Sequence, residues 1–350
     1  MNCLRAWQAL FPALLLLFAA TTWFEPRSEP AARGRLDGFN VIEAPGSPFG
    51  SDAAWLSLVN AKRLGARAVA VIPFFWQSSP ASPKLEHGTD MTDAELHAAI
   101  REARALGLTV LVKPQVWVPK SWAGAIAMTS AEDWDEWFAN YRRELENVAG
   151  IAAAEKAEAL AIGTELAASE QRPRWGELIG AVRTLYPGRL LYMAHNVEEA
   201  ETVPFWDRLD AVGVTLYPPL GADADRDSRR AIMRMVADRL EALAARSHKP
   251  VVVGEIGLRS AVGAAAKPWQ DAERRDSTPD PELQAAVMAD WLAPLDRRSI
   301  EGVMIWRWLT DPDAGGLTDT DFTVQNKPAE RVLMCAWTRI CQRRARMRLP

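Results

Sequence analysis

Two glutamates stand out for the chemistry their neighbours would allow. Glu165 closes the apolar run ALAIGTEL (159–166), and Glu255 lies near the end of PVVVGEIGL (250–258). A carboxyl pair can divide labour when one member holds a proton to donate and the other stays ionised to attack or to activate water. The ends of the other apolar runs supply company for such a pair. Tyr217 could hydrogen-bond Glu255 and keep it anionic. Trp306 and Trp308 offer flat apolar floors, with Trp76 and Trp117 at two further run ends. Lys113, His195 and Asn196 add donors. No Ser/His/Asp order stands out, and no Cys/His/Asp cluster has ligand spacing, so neither a metal nor a cofactor is expected. The chain carries 15 Trp, a surplus that suits stacking on flat rings or sugar faces, with core packing as the plainer use.

These residues need a scaffold that gathers run ends. Eight short runs rich in β-branched or aromatic residues are continuous rather than alternating, as strands covered on both faces should be. They span 38–42, 66–76, 109–118, 159–166, 190–196, 211–217, 250–258 and 302–309. Helical patterns fall between and after them at 52–64, 93–106, 133–149, 174–185, 227–245, 281–292 and 327–343. Thr92 with Glu95 reads as a capping box for the second helix. Eight alternating units predict an α/β fold, a (β/α)8 barrel. A doubly wound sheet would want a glycine-rich turn after the first strand, and GFNVIEAPGSPFG has no GxGxxG.

In such a barrel the strand ends converge on one mouth. Strands four and seven stand opposite, so Glu165 and Glu255 would face each other across a bound molecule. Two carboxyls at an indole-lined rim fit glycoside hydrolysis, with a spacing of about 5–5.5 Å if configuration is retained. Glu165 is expected to be the member that holds its proton to higher pH, since Tyr217 favours the charged form of Glu255. Lys113 could instead serve as a Schiff-base lysine, and His195 could assist proton transfer.

Four segments give the sequence a family likeness. IGTEL (162–166), FWDRLDAVGV (205–214), GEIGLRS (254–260) and FTVQNKPAERVL (322–333) resemble glycoside hydrolase family 113. The likeness runs in order from about Gly38 to Trp337. It implies a retaining (β/α)8 enzyme of clan A acting as a β-1,4-mannanase, with Glu165 as acid/base, Glu255 as nucleophile and Tyr217 as the strand-six tyrosine. Departures fall in the cleft. Thr164 precedes the acid/base where the clan has Asn, and Val197 stands where a Trp is expected. Thr215 occupies a commonly acidic position, and Gln115 with Trp117 stands where a His and an acidic residue are expected.

The remaining features bound the setting. Ala6–Phe24 is uncharged, follows Arg5 and precedes a polar stretch, so residues 1–24 read as a signal peptide or membrane anchor. The expected organisation is that leader, a linker (25–36), a hydrolase domain (37–342) and a basic tail (343–350), exported to the periplasm or outside the cell and monomeric. A net charge of −4 gives no reason to expect nucleic acid. The expected partner is a polysaccharide or oligosaccharide. Cys335 and Cys341 can bridge if the last helix ends between them. A carbohydrate-binding barrel without turnover, serving polysaccharide export or remodelling, is the alternative function.

Overall fold

The computed structural model describes residues 35–221, 225–270, 277–338 and 341. The expected leader, most of the linker and the basic tail lie outside them. Strand β1 (Gly38–Ile42) is followed by helix α1 (Asp52–Arg63). Strands β2 (Ala68–Val71), β3 (Phe74–Trp76) and β4 (Glu86–His87) precede α2 (Asp93–Ala105), and β5 (Thr109–Val112) and β6 (Gln115–Trp117) precede α3 (Ala131–Ala154). Next come β7 (Ala159–Thr164), α4 (Arg174–Leu185), β8 (Arg189–His195), the short α5 (Asn196–Ala200) and β9 (Val212–Leu216). The chain continues through α6 (Arg226–Ser247), β10 (Val251–Gly257), α7 (Pro281–Leu295), β11 (Ile300–Leu309) and α8 (Pro328–Thr338). Eight strands close into a barrel in the order β1-β11-β10-β9-β8-β7-β5-β2. Their pairings are parallel. The fold is a (β/α)8 barrel.

Two runs that read as single strands are each divided by a proline. Pro73 interrupts 66–76 and Pro114 interrupts 109–118, and proline has no N–H to give a ladder. The barrel strands end at Val71 and Val112. Beyond the prolines, β3 pairs with β6 on one side and with β4 on the other to make a small second sheet.

Alternation along the strands sorts the core into two layers. Leu36, Ala68, Ala70, Ile72, Leu111, Ala159, Ala161, Leu191, Met193, Ala211, Val252 and Met304 fill the barrel's interior. Their spacing of two is that of inward-pointing positions. A larger cluster packs the outer strand faces against the helices. Gly254 makes room for this interior, since a Cβ there would meet Met193 Sδ at 2.3 Å.

Most of the long helices start where side-chain caps sit. Ser51, Ser130 and Asp280 each accept a first-turn N–H, and Thr92 and Glu95 form the expected capping box. The described part of helix α8 runs to Thr338, and the rest of the expected helix to Arg343 lies outside the described residues apart from Cys341. Cys335 and Cys341 form a disulfide, with Cα atoms 5.1 Å apart. A straight helix through both would have pointed them to different sides. Among the described residues no helix is long and apolar enough to cross a membrane.

Candidate active site

The inward series of the barrel interior continues upward into polar residues. Above Leu111 come Lys113, Gln115 and Trp117; above Ala211 come Thr215 and Tyr217; above Leu191 and Met193 comes His195. Each keeps the strand's period of two, so the apolar plug becomes a polar floor. Glu255 breaks the period of Val252. A register shift between Val253 and Glu255 against β9 turns its carboxyl inward. The resulting mouth holds a cavity of about 1120 Å³ whose walls include Glu165, Glu255, His195, Asn196, Tyr217 and Trp306.

Glu255 is held from three sides. Lys113 Nζ donates to Oε2 at 2.5 Å and Gln115 Nε2 donates to the same oxygen at 3.0 Å. The Tyr217 hydroxyl donates to Oε1 at 2.6 Å. Lys113 has no exposed side-chain surface, so its charge is met inside the protein by this carboxylate. Burial, then the nearby Glu255 charge, pushes the Tyr217 phenol well above its ordinary pKa, so it stays a donor.

Glu165 is held on one oxygen only. Thr215 Oγ1 donates to Oε1 at 2.5 Å, and His195 Nδ1 lies 3.0 Å from the same atom. Oε2 has no hydrogen-bond partner among the described residues. The residue sits at φ 56°, in the left-handed region, with its N–H bonded to Met193 O. Such a backbone is uncommon without glycine and is found at functional positions. Burial works to raise the Glu165 pKa. The His195 hydrogen bond and charge, the Thr215 hydroxyl and the Lys113 charge outweigh it and hold the carboxyl below the usual range. This reverses the expectation that Glu165 keeps its proton to higher pH in the empty cleft. The expectation weighed only the donors around Glu255 and left out His195. Burial opposes a charged His195, but the Glu165 carboxylate outweighs it and moves the imidazole pKa up.

Three residues expected in the cleft are placed elsewhere. Trp308 is 1% exposed, packs on Phe39 at 4.6 Å and donates to Ser57 Oγ, on the helix side of the barrel. Trp306 and Trp308 are two apart and would share a face in a regular strand. The register against β1 jumps from Trp306 to Trp308, which sends only Trp306 into the mouth. Lys113 is too deep to touch substrate and serves Glu255 instead, with Nζ 5.4 Å from the centroid of the Trp306 ring. Trp76, half-buried on β3, stands behind Trp117 with ring centroids 6.2 Å apart and does not line the cavity.

Trp117 does line the cavity and is 41% exposed. Trp122 and Trp269, at 44% and 50% exposed, join it there. Both lie outside the strands, beyond the reach of a reading that inspected strand ends. The only trace of them in the sequence is the surplus of tryptophan. Trp122 stands over His195 with ring centroids 4.9 Å apart. Among the described residues no group of three or more His, Cys, Asp or Glu could hold a metal ion.

The arrangement has known counterparts. The sequence model of Glycoside Hydrolase Family 113 matches residues 39–327. The family 113 β-mannanase of Alicyclobacillus acidocaldarius, solved in complex with ManMIm, is 26% identical, with a TM-score of 0.79 over 88% of this chain and 99% of that one. A family 113 β-1,4-mannanase solved as a complex is 28% identical, with a TM-score of 0.76 over 87% of this chain and 99% of that one. A family 5 subfamily 18 protein from Streptomyces cattleya, in complex with GlcNAc, shares the fold at 16% identity and a TM-score of 0.58. No curated protein matches the chain.

Proposed function

We propose that this chain, which belongs to glycoside hydrolase family 113, cleaves β-1,4-linked mannan with retention of configuration, Glu255 acting as nucleophile and Glu165 as acid/base. Its membership makes it a glycoside hydrolase; the substrate and the stereochemistry are our reading. The observation that carries the reading is the unequal setting of the two carboxyls. Glu255 is gripped on both oxygens by an ammonium, an amide and a phenol. Glu165 keeps one oxygen without a partner among the described residues, available to exchange a proton with a glycosidic oxygen or with water.

The reaction follows in two displacements. Glu255 attacks the anomeric carbon while Glu165 gives its proton to the departing oxygen, leaving a glycosyl ester. Ester formation removes the Glu255 charge and leaves the enclosed Lys113 ammonium unmatched. That cation then favours the carboxylate form of Glu165, the form needed to take a proton from the water that breaks the ester. The indole of Trp306 lies under the sugar, and Trp117, Trp122 and Trp269 extend the cleft beyond one ring. Mannan as substrate is supported by the two β-mannanases that this chain resembles along 87–88% of its length. Residues 1–24 export the barrel to the periplasm or cell exterior, as a cleaved leader or a retained anchor.

A 2-fluoro mannoside with a good leaving group tests the core of the proposal. It slows both steps while the leaving group rescues the first, so the ester accumulates. Peptide mapping should place one fluorosugar on the segment Val253–Ser260. Oligosaccharide binding with no label from manno-, gluco- or galacto-configured reagents would instead identify a binding barrel without turnover.

A further inference from the structure

We infer that Asn196 locks His195 in the neutral form carrying its proton on Nδ1, and that this pair is the positioning device that occupies Glu165 Oε1 and confines its exchangeable proton to Oε2. The inference rests on the assignment of Glu165 as acid/base, which the kinetic arm below checks separately.

The lock follows from counting donors. The Tyr217 backbone N–H can only donate, and it bonds Asn196 Oδ1 at 2.8 Å. That contact fixes which end of the Asn196 amide faces which way. The NH2 end therefore points at His195 Nε2, 2.9 Å away. An amide NH2 also only donates, so Nε2 of a neutral His195 must be the acceptor, and its proton sits on Nδ1. Nδ1 lies 3.0 Å from Glu165 Oε1 and donates to it. The chain of bonds runs from backbone to amide to imidazole to carboxylate, with one sense throughout. Thr215 adds a second donor to the same Oε1. Proton exchange with substrate is thereby confined to Oε2.

The other charges around the pair pull in two directions. Lys113 favours the carboxylate of Glu165. Glu199 and Glu255 favour charge on His195. Tyr217 remains a neutral phenol. Protonating His195 would put hydrogen on Nε2 against the Asn196 NH2, so the amide opposes what the carboxylates favour. Asn196 sits at φ 56°, a conformation asparagine tolerates, which aims its side chain back at its own neighbour. Trp122 covers the imidazole from the cleft side.

The test needs no substrate. The chain has four histidines, so ¹⁵N spectra of histidine-labelled full-length protein resolve each ring, and the signals missing in His195→Phe identify His195. We expect the Nδ1–H tautomer at neutral pH, whereas free imidazole side chains favour Nε2–H. Asn196→Asp supplies an acceptor for Nε2–H and should make His195 doubly protonated across the neutral range. Asn196→Ala, should the aspartate variant fail to fold, should release the lock and give a tautomer mixture. An Nε2–H tautomer in the native protein, or no change in either Asn196 variant, overturns the inference. Kinetics then separate it from the reading beneath. On a substrate with a poor leaving group, His195→Phe should move the basic limb of kcat/KM up by about one pH unit. A limb that stays in place, alongside a Glu165→Ala variant that has lost activity, defeats the inference alone. A Glu165→Ala variant with full activity defeats the acid/base assignment and leaves the tautomer result standing.

Discussion

The protein holds two pairs of acidic residues close together, and they are wired in opposite ways. Glu165 and Glu255 each have their own donors: His195 and Thr215 for one, Lys113, Gln115 and Tyr217 for the other. Glu170 and Glu199, behind the mouth, share a proton with each other. Burial, then the contact with Glu199, pushes Glu170 up to about 10, and burial raises Glu199 as well. Burial alone therefore does not mark a catalytic carboxyl. What marks it is a dedicated set of donors that keeps a charge in place until the substrate changes it. The shared pair has a different use. Tyr192, whose hydroxyl accepts the Leu166 N–H, and the His195 backbone each favour charge on a member of this pair, Tyr192 on Glu170 and His195 on Glu199. The pair thus lies against the chain segments on which Glu165 and His195 stand.

The sharpest way to break this contrast is to neutralise one member of each pair. Glu255→Gln should cost activity on the order of 10⁴-fold or more if Glu255 is the nucleophile we propose, since that role has no substitute. Glu170→Gln should leave kcat/KM within about tenfold, because an amide can replace the shared proton. If the two variants lose activity equally, the second pair belongs to the chemistry and the division drawn here is wrong.

The donors of Glu165 sharpen the contrast further. Its pKa is lowered in the folded protein, so its acid form is filled only at acid pH. Turnover of substrates with poor leaving groups should fall as pH rises through a low basic limb. Glu165→Ala should lose about 10²–10⁴-fold on such substrates, keep most of its first step on activated aryl glycosides, and regain turnover with azide. Rate measurements on the two substrate classes check this. Equal losses on both would assign Glu165 to binding rather than to proton transfer.

Much of this arrangement was legible in the sequence, and the failures have local causes. Continuous apolar runs divided by capped helices gave the barrel, because buried parallel strands leave few other patterns. Glu165, Glu255 and Tyr217 were expected at one mouth because strand ends are where a barrel gathers its chemistry, and all three line one cavity. Trp308 was misplaced because a register jump beside Trp306 leaves no mark in residue types. Trp122 and Trp269 were missed because loops obey no period. Lys113 was seen as reaching the mouth, but its depth depends on how far the strand rises before Pro114. The pairing of His195 with Glu165 needed three dimensions, since 30 residues separate them.

The smallest effect is the one that tests the physics of the second pair directly. Glu170 is 2% exposed, and its folded pKa lies above its unfolded value. Such a group favours the folded state fully below its unfolded pKa, and that contribution is lost progressively as pH rises toward the folded value. Each of the two residues also has an enclosed Oε1 without a hydrogen-bond partner among the described residues, so little is present to absorb a second negative charge. In Glu170→Gln the new side-chain amide would present an N–H to Glu199 as the protonated carboxyl does, and it never ionises. The variant should therefore melt near the native temperature at pH 5 and above it at pH 8.5. Removing the cost of holding that proton at pH 8.5, about 1–3 kcal/mol, corresponds to a rise of a few degrees in a chain of this size. Thermal unfolding at the two pH values measures the difference, and the sign of its change with pH is the decisive quantity. A variant that gains as much at pH 5 as at pH 8.5 would mean that packing, not the shared proton, governs the pair.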